Sequence, residues 1–144
     1  MAPLIPPPST DPQTKADFHA LAVAAVQKYA TLLGIETSWH WRFSFDTESL
    51  DGKAASVTTN QALQTAHVRF HDRLNPAYYE ECAAHEAIHV LLSSIECAVD
   101  ELAEPSKTLM SNTIHATVDR LGFALSRTEF YWPGDQLGDK PPWE

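Results

Sequence analysis

Cys82-Ala83-Ala84-His85-Glu86-Ala87-Ile88-His89-Val90-Leu91-Leu92 is the stretch on which the reading of this chain turns. Its core, His85 to His89, has the form H-E-x-x-H. On an α-helix, residues four apart lie one above the other on the same face. Two imidazoles so placed can each give a nitrogen to one tetrahedral zinc ion at roughly 2.0–2.1 Å. Glu86 follows the first histidine, about 100° further round the helix. Its carboxylate therefore stands beside the ion rather than on it, where it can take a proton from a water that zinc has brought to a pKa of about 7. The plain alternative is a buried helix whose histidines are hydrogen-bonded core residues.

The flanks support the helix. Asn75-Pro76 is a start signal, with Asn as cap and Pro at the first helical position. Glu80 and Glu81 place negative charge in the early turns, where the helix dipole favours it. No Gly or Pro then appears until Pro105, so one continuous helix is expected to carry both Cys82 and Cys97.

Upstream, Ala66, Val68 and Phe70 alternate with His67, Arg69 and His71, a strand at 66–71 that runs into the Asn75 cap. His67 and His71 lie roughly 13 Å apart on such a strand, too far to share one ion, and are read as facing solvent or substrate. A weaker strand covers 54–59, with Val57, Thr58 and Thr59, after a hairpin-type turn at Asp51-Gly52. The clearest strand is 36–46, with Trp39, Trp41, Phe43 and Phe45 forming its core face. Before it, Phe18, Leu21, Ala22, Ala25, Tyr29 and Leu32 recur at helical spacing over 12–33, between Asp11-Pro12 and Gly34.

Downstream, Asp100, Glu101 and Glu104 form an acidic loop ending at Pro105. Ser106 is read as the cap of a helix over 107–126 with Leu109, Ile114, Val118, Leu121 and Leu125 as its apolar stripe. Residues 1–11, with Pro3, Pro6, Pro7 and Pro8, read as a flexible arm. Residues 132–144 read as a turn-rich tail that Trp132 or Trp143 could anchor.

The 144 residues fit one domain, and 44% hydrophobic with 20% charged residues is an ordinary globular composition. A net charge of −9 argues against a nucleic-acid partner and against an anionic membrane surface. No apolar run reaches the length of a membrane span. Cys82 and Cys97 are expected as free thiols, which points to a reducing, cytoplasmic setting. Nothing in the sequence sets an oligomeric state.

With its motif and order of elements, the chain resembles the zincin metallopeptidases, in particular the minimal H-E-x-x-H domains of small phage and prophage proteins, over roughly residues 13–130. The resemblance implies an α+β fold over 12–131: an N-terminal helix, a small antiparallel or mixed sheet, the motif helix and a closing helix. It implies one catalytic zinc per chain and a peptide or protein substrate, with Glu86 as general base and then proton donor to the leaving amine. It further implies that the strand just before the motif helix, 66–71, is the sheet edge along which an extended peptide lies. An edge strand with polar residues in water is the plain alternative.

A catalytic zinc needs a third protein ligand. The metzincin pattern would place a histidine at Ile95, and the thermolysin-like gluzincin pattern a glutamate near Leu109 and Met110. The chain instead offers His115 with Asp119 four residues later. His115, the only histidine after His89, is taken as third ligand, and Asp119 as the carboxylate that orients an imidazole. Asp119, Glu101 and Glu104 are the alternatives. Tyr131, His67 and His71 are candidates for binding substrate and steadying an oxyanion. A second reading is a non-catalytic, zinc-stabilised binding or assembly protein, which a fourth ligand such as Cys82 would favour. A DNA-associated protease resembling the SprT group is disfavoured by the acidic balance and the lack of a zinc-ribbon cysteine set.

Overall fold

The three alternating stretches become β1 (His40–Asp46), β2 (Ala55–Asn60) and β3 (Thr65–His71), in the spatial order β1-β3-β2. The structure is a computed structural model that describes residues 12–48, 50–126 and 136–144. The arm at 1–11, Tyr131 and Trp132 lie outside the described residues. β3 pairs parallel with β1, setting Phe43 opposite Val68 and Phe45 opposite Phe70, and antiparallel with β2, setting Val57 opposite Val68. These residues make one apolar face.

The sheet departs from expectation in two ways. β3 is the central strand, hydrogen-bonded on both sides, so it presents no edge to a peptide; among the described residues β1 and β2 are the edges. A strand buried on both flanks and an edge strand can show the same alternation. Asp51-Gly52 does form a tight turn, with φ of 50° and 78° and the Lys53 N–H donating to the Leu50 carbonyl. It lies within the crossover from β1 to β2, however, and joins no paired strands. The hairpin is β2–β3, closed by residues 61–64, where the Asn60 side chain accepts from the Leu63 N–H and Gln64 adopts φ of 51°.

The helices follow the local chemistry with shifted ends. α1 (Lys15–Leu32) starts at a capping box in which Thr14 and Asp17 satisfy each other's N–H groups, beyond the Asp11-Pro12 signal. It buries Phe18, Ala22, Ala25, Val26 and Tyr29, while Leu21 and Leu32 are exposed. Asn75 caps a single 3-10 turn, Pro76–Tyr78, that leads into α2 (Tyr79–Leu91). The expected continuous helix is broken at Leu92, and α3 (Ser93–Asp100) leaves at 63°. The Ser93 hydroxyl donates to the Val90 carbonyl and accepts from Gln61 Nε2, both at 2.7 Å, which holds the break against the β2–β3 turn. α4 (Ser106–Ser126) is capped by Glu104 rather than Ser106, since Glu104 Oε2 accepts from the Thr108 N–H at 3.3 Å. Its buried face is Ile114, Val118 and Gly122, with Leu109 and Leu121 exposed.

Among the described residues the fold is α+β, with four α-helices and a small mixed three-stranded sheet. α2 packs against α1, α4 and the sheet, and Ala83, Ala84 and Ala87 are fully buried, their small side chains allowing close approach. The segment 136–144 is part of the same body. Asn75 N–H donates to the Gln136 carbonyl, Gly138 N–H to the Arg73 carbonyl, and Leu137 bridges Leu74. The Trp143 ring lies 6.2 Å from Phe18 and 5.2 Å from Phe45, so this tryptophan is an anchor. Among the described residues no single helix is long and apolar enough to cross a membrane.

Candidate metal centre

His85 and His89 project from one face of α2, and their Nε2 atoms lie 3.1 Å apart. Two nitrogens bound to one tetrahedral ion at roughly 2.0 Å would stand about 3.3 Å apart. Two unprotonated nitrogens this close repel, so the pair is suited either to one shared proton or to a cation. The Nδ1 atoms show which nitrogen is available. His89 Nδ1 lies 2.6 Å from Glu96 Oε1, and His85 Nδ1 lies 3.3 Å from Asp119 Oδ1. His115 Nδ1 is 2.8 Å from the Ser111 carbonyl, an acceptor only, so this nitrogen carries the proton. In His89 and His115 an oxygen hydrogen-bonds Nδ1, and in His85 a carboxylate stands beside it at 3.3 Å; each leaves Nε2 as the donor atom, the arrangement by which proteins orient metal-binding imidazoles.

His115 approaches from α4, its ring 5.6 Å from that of His89, against 4.8 Å between His85 and His89. Among the described residues no three His, Cys, Asp or Glu side chains are closed around one point as a finished site. The motif pair is preformed and the third ring stands further off. The donor chemistry fits zinc.

Burial tunes the charges. It pushes the His85 imidazole down to about 4, helped by the His89 charge and opposed by Asp119, so His85 is neutral at pH 7, as a metal ligand must be. Burial also lowers His89, but the Glu96 hydrogen bond and the charges of Glu86 and Glu96 outweigh it and raise the net value. Glu86 is only 5% exposed, and burial pushes its carboxyl up to about 7, a range suited to accepting and returning a proton.

His85 and Glu86 form the waist between two cavities. One, about 540 Å³, is lined by Glu81, Cys82, Asp119, Gly122 and Gln136. The other, about 370 Å³, is lined by Ser56, Val57, Thr59, His89, Glu96 and His115. Lys53 and Ala55 border both, so the edge strand beside the motif is β2.

Several expected site residues lie elsewhere. His71 is 2% exposed, with its Nδ1 accepting from the Arg73 N–H and 3.3 Å from Asp72, so it cannot face substrate. His67 belongs to the sheet face opposite Val68 and Phe70 and pairs with the Ser44 hydroxyl at 2.9 Å; it borders neither cavity. Tyr131 is outside the described residues. Glu104 caps α4, Glu101 is exposed beyond α3, and the Cys82 thiol lies 4.0 Å from Gln136 Nε2 and is pushed up by burial. Both cysteines are free. Sequence reasoning missed Glu96, Lys53, Glu81 and Gln136. Only Glu96 had a signal, as the i+7 position of His89, which becomes useful once the helix is known to bend. No family model matches the chain, and no curated protein or solved structure matches it.

Proposed function

We propose that this chain is a zinc-dependent peptidase of the minimal zincin type, with His85, His89 and His115 holding one zinc and Glu86 as general base. The observation that carries the reading is the facing Nε2 pair of His85 and His89, with His89 Nδ1 hydrogen-bonded to Glu96, His85 Nδ1 3.3 Å from Asp119, and buried Glu86 between two cavities. When bound there, zinc supplies Lewis acidity toward a carbonyl oxygen and a water. Glu86 takes the proton of the attacking water and passes it to the leaving amine, a task its raised affinity for a proton suits. Glu96 and Asp119 keep the imidazoles in the ligand tautomer. The edge of β2, unpaired among the described residues, takes the role that the resemblance gives to 66–71: an extended peptide adds there by main-chain hydrogen bonds, with residues either side of the scissile bond over the two cavities. Lys53, which borders both cavities, steadies the oxyanion.

The test is zinc content together with turnover of an unstructured protein. The parent is expected to hold close to one zinc per chain and to cleave, and Glu86→Gln to keep the zinc and lose at least about a hundredfold in rate. Equal cleavage by Glu86→Gln removes the base; zinc retained at full stoichiometry by His85→Ala/His89→Ala removes the centre. Zinc held without cleavage of any peptide favours the metal-stabilised binding protein.

A further inference from the structure

The larger cavity contains a group that hydrolysis itself does not require. Glu81 lies on α2 one turn before His85, is 8% exposed, and lines the cavity of about 540 Å³. Its Oε2 is buried with no hydrogen-bond partner among the described residues. An oxygen withdrawn from water and left unpaired costs free energy, which a donor entering the cavity would recover. Asp119 faces the same space from α4. Burial first, and then the Asp119 charge, push the Glu81 carboxyl up to about 7, and among the described residues neither acid is ion-paired with a lysine or arginine. Of the charged side chains around the waist, Glu81 and Asp119 border this cavity alone, whereas exposed Lys53 borders both. Gly122 and Gln136 add a side-chain-free wall and an amide.

We propose that this cavity is a recognition pocket for a cationic side chain, lysine or arginine, and that Glu81 is its specificity-determining residue. The identity of the ligand as a peptide rests on the peptidase reading above; the preference for a cation rests on Glu81 and Asp119. A long aliphatic stem passes the waist beside His85 and Glu86 and brings its donor to the unpaired Oε2. A neutral side chain of equal length fills the space but leaves the two acids facing each other.

The experiment measures binding of N-acetylated pentapeptides that differ only at the central residue, which is arginine, lysine, citrulline, norleucine or glutamate. It uses zinc-loaded Glu86→Gln protein, with and without Glu81→Gln, and calorimetry as readout. Arginine and lysine peptides are expected to bind at least about tenfold tighter than citrulline and norleucine peptides, and Glu81→Gln should bring all four within about twofold. Equal binding of norleucine and lysine, a preference that survives Glu81→Gln, or no binding of any peptide overturns the pocket. Turnover by the parent on the same peptides is scored separately. Cleavage without cationic preference leaves the peptidase and removes the pocket; cationic preference in binding with no cleavage leaves the pocket and removes the peptidase. Circular dichroism of both variants checks that the near-isosteric change keeps the fold.

Discussion

Glu96 Oε1 lies 2.6 Å from His89 Nδ1, and the contact exists because the helix breaks between the two residues. Along a straight helix, residue 96 would stand about 10.5 Å further on, on nearly the same face. The 63° turn at Leu92 swings the carboxylate back onto the ring. Glu96→Gln is therefore expected to lower zinc affinity ten- to hundredfold by weakening the orientation of His89, measured by chelator competition at fixed pH. Parental affinity in this variant would remove Glu96 from the centre.

The two candidates on α4 separate by role. His115→Ala should remove a ligand and most of the zinc affinity. Asp119→Asn should cost less than Glu96→Gln, because Asp119 is 60% exposed and 3.3 Å from His85 Nδ1. The same competition assay orders the three variants. Metal loss from Asp119→Asn with retention by His115→Ala would exchange their roles.

Metal removal should destabilise the fold. A site that binds only the native state adds about 2.7 kcal/mol at a hundred times its dissociation constant. Chelation should thus lower the thermal midpoint of the parent, and zinc should restore it. His89→Ala should melt at the same temperature with or without the ion.

Glu81 gives a pH signature in chelated protein. Its carboxyl stays protonated in the native state up to about 7, whereas the unfolded chain releases the proton near the ordinary value of 4.5. The native state holds more protons between these values, so this group's contribution to stability falls as pH rises through that window. Glu86 acts with the same sign, and His85, lowered to about 4, with the opposite one. The quantity to follow is therefore the stability of Glu81→Gln minus that of the parent, by urea titration. It should grow between pH 4.5 and about 7 and level off above; a flat difference would mean that Glu81 ionises normally.

Trp143 fastens the 136–144 segment to Phe18 and Phe45. Trp143→Ala should cost about 2–3 kcal/mol, below the range for a fully buried aromatic because the ring is only half-buried. Denaturant unfolding measures this. A loss under about 0.5 kcal/mol would place the segment outside the folding unit.

The motif helix, its Asn75 cap and the α+β class were legible in the sequence because each depends on neighbours within a turn or two. That His115 and Asp119 share one helix was legible for the same reason. Strand order was not: the alternation in 66–71 is the same for a central and an edge strand, and only its pairing with both β1 and β2 distinguishes them. The tight turn at Asp51-Gly52 is a local fact, while the strands it connects are a global one. The break at Leu92 carries no Gly or Pro, and its stabilising partner, Gln61, lies 32 residues from Ser93. Glu96 was hidden with it.

That break also determines where the chain tolerates changes in length. Each residue inserted between His89 and Glu96 would turn the carboxylate by about 100° and detach it from the imidazole. A residue added in the exposed loop between Asp100 and Ser106 leaves that distance untouched. Length changes should therefore be absorbed after α3 and refused before it. The β2–β3 turn behaves like the second case in position and like the first in consequence, since Gln61 holds Ser93. A hairpin tip would ordinarily vary freely; this one is coupled through two hydrogen bonds to the corner that aims Glu96 at His89.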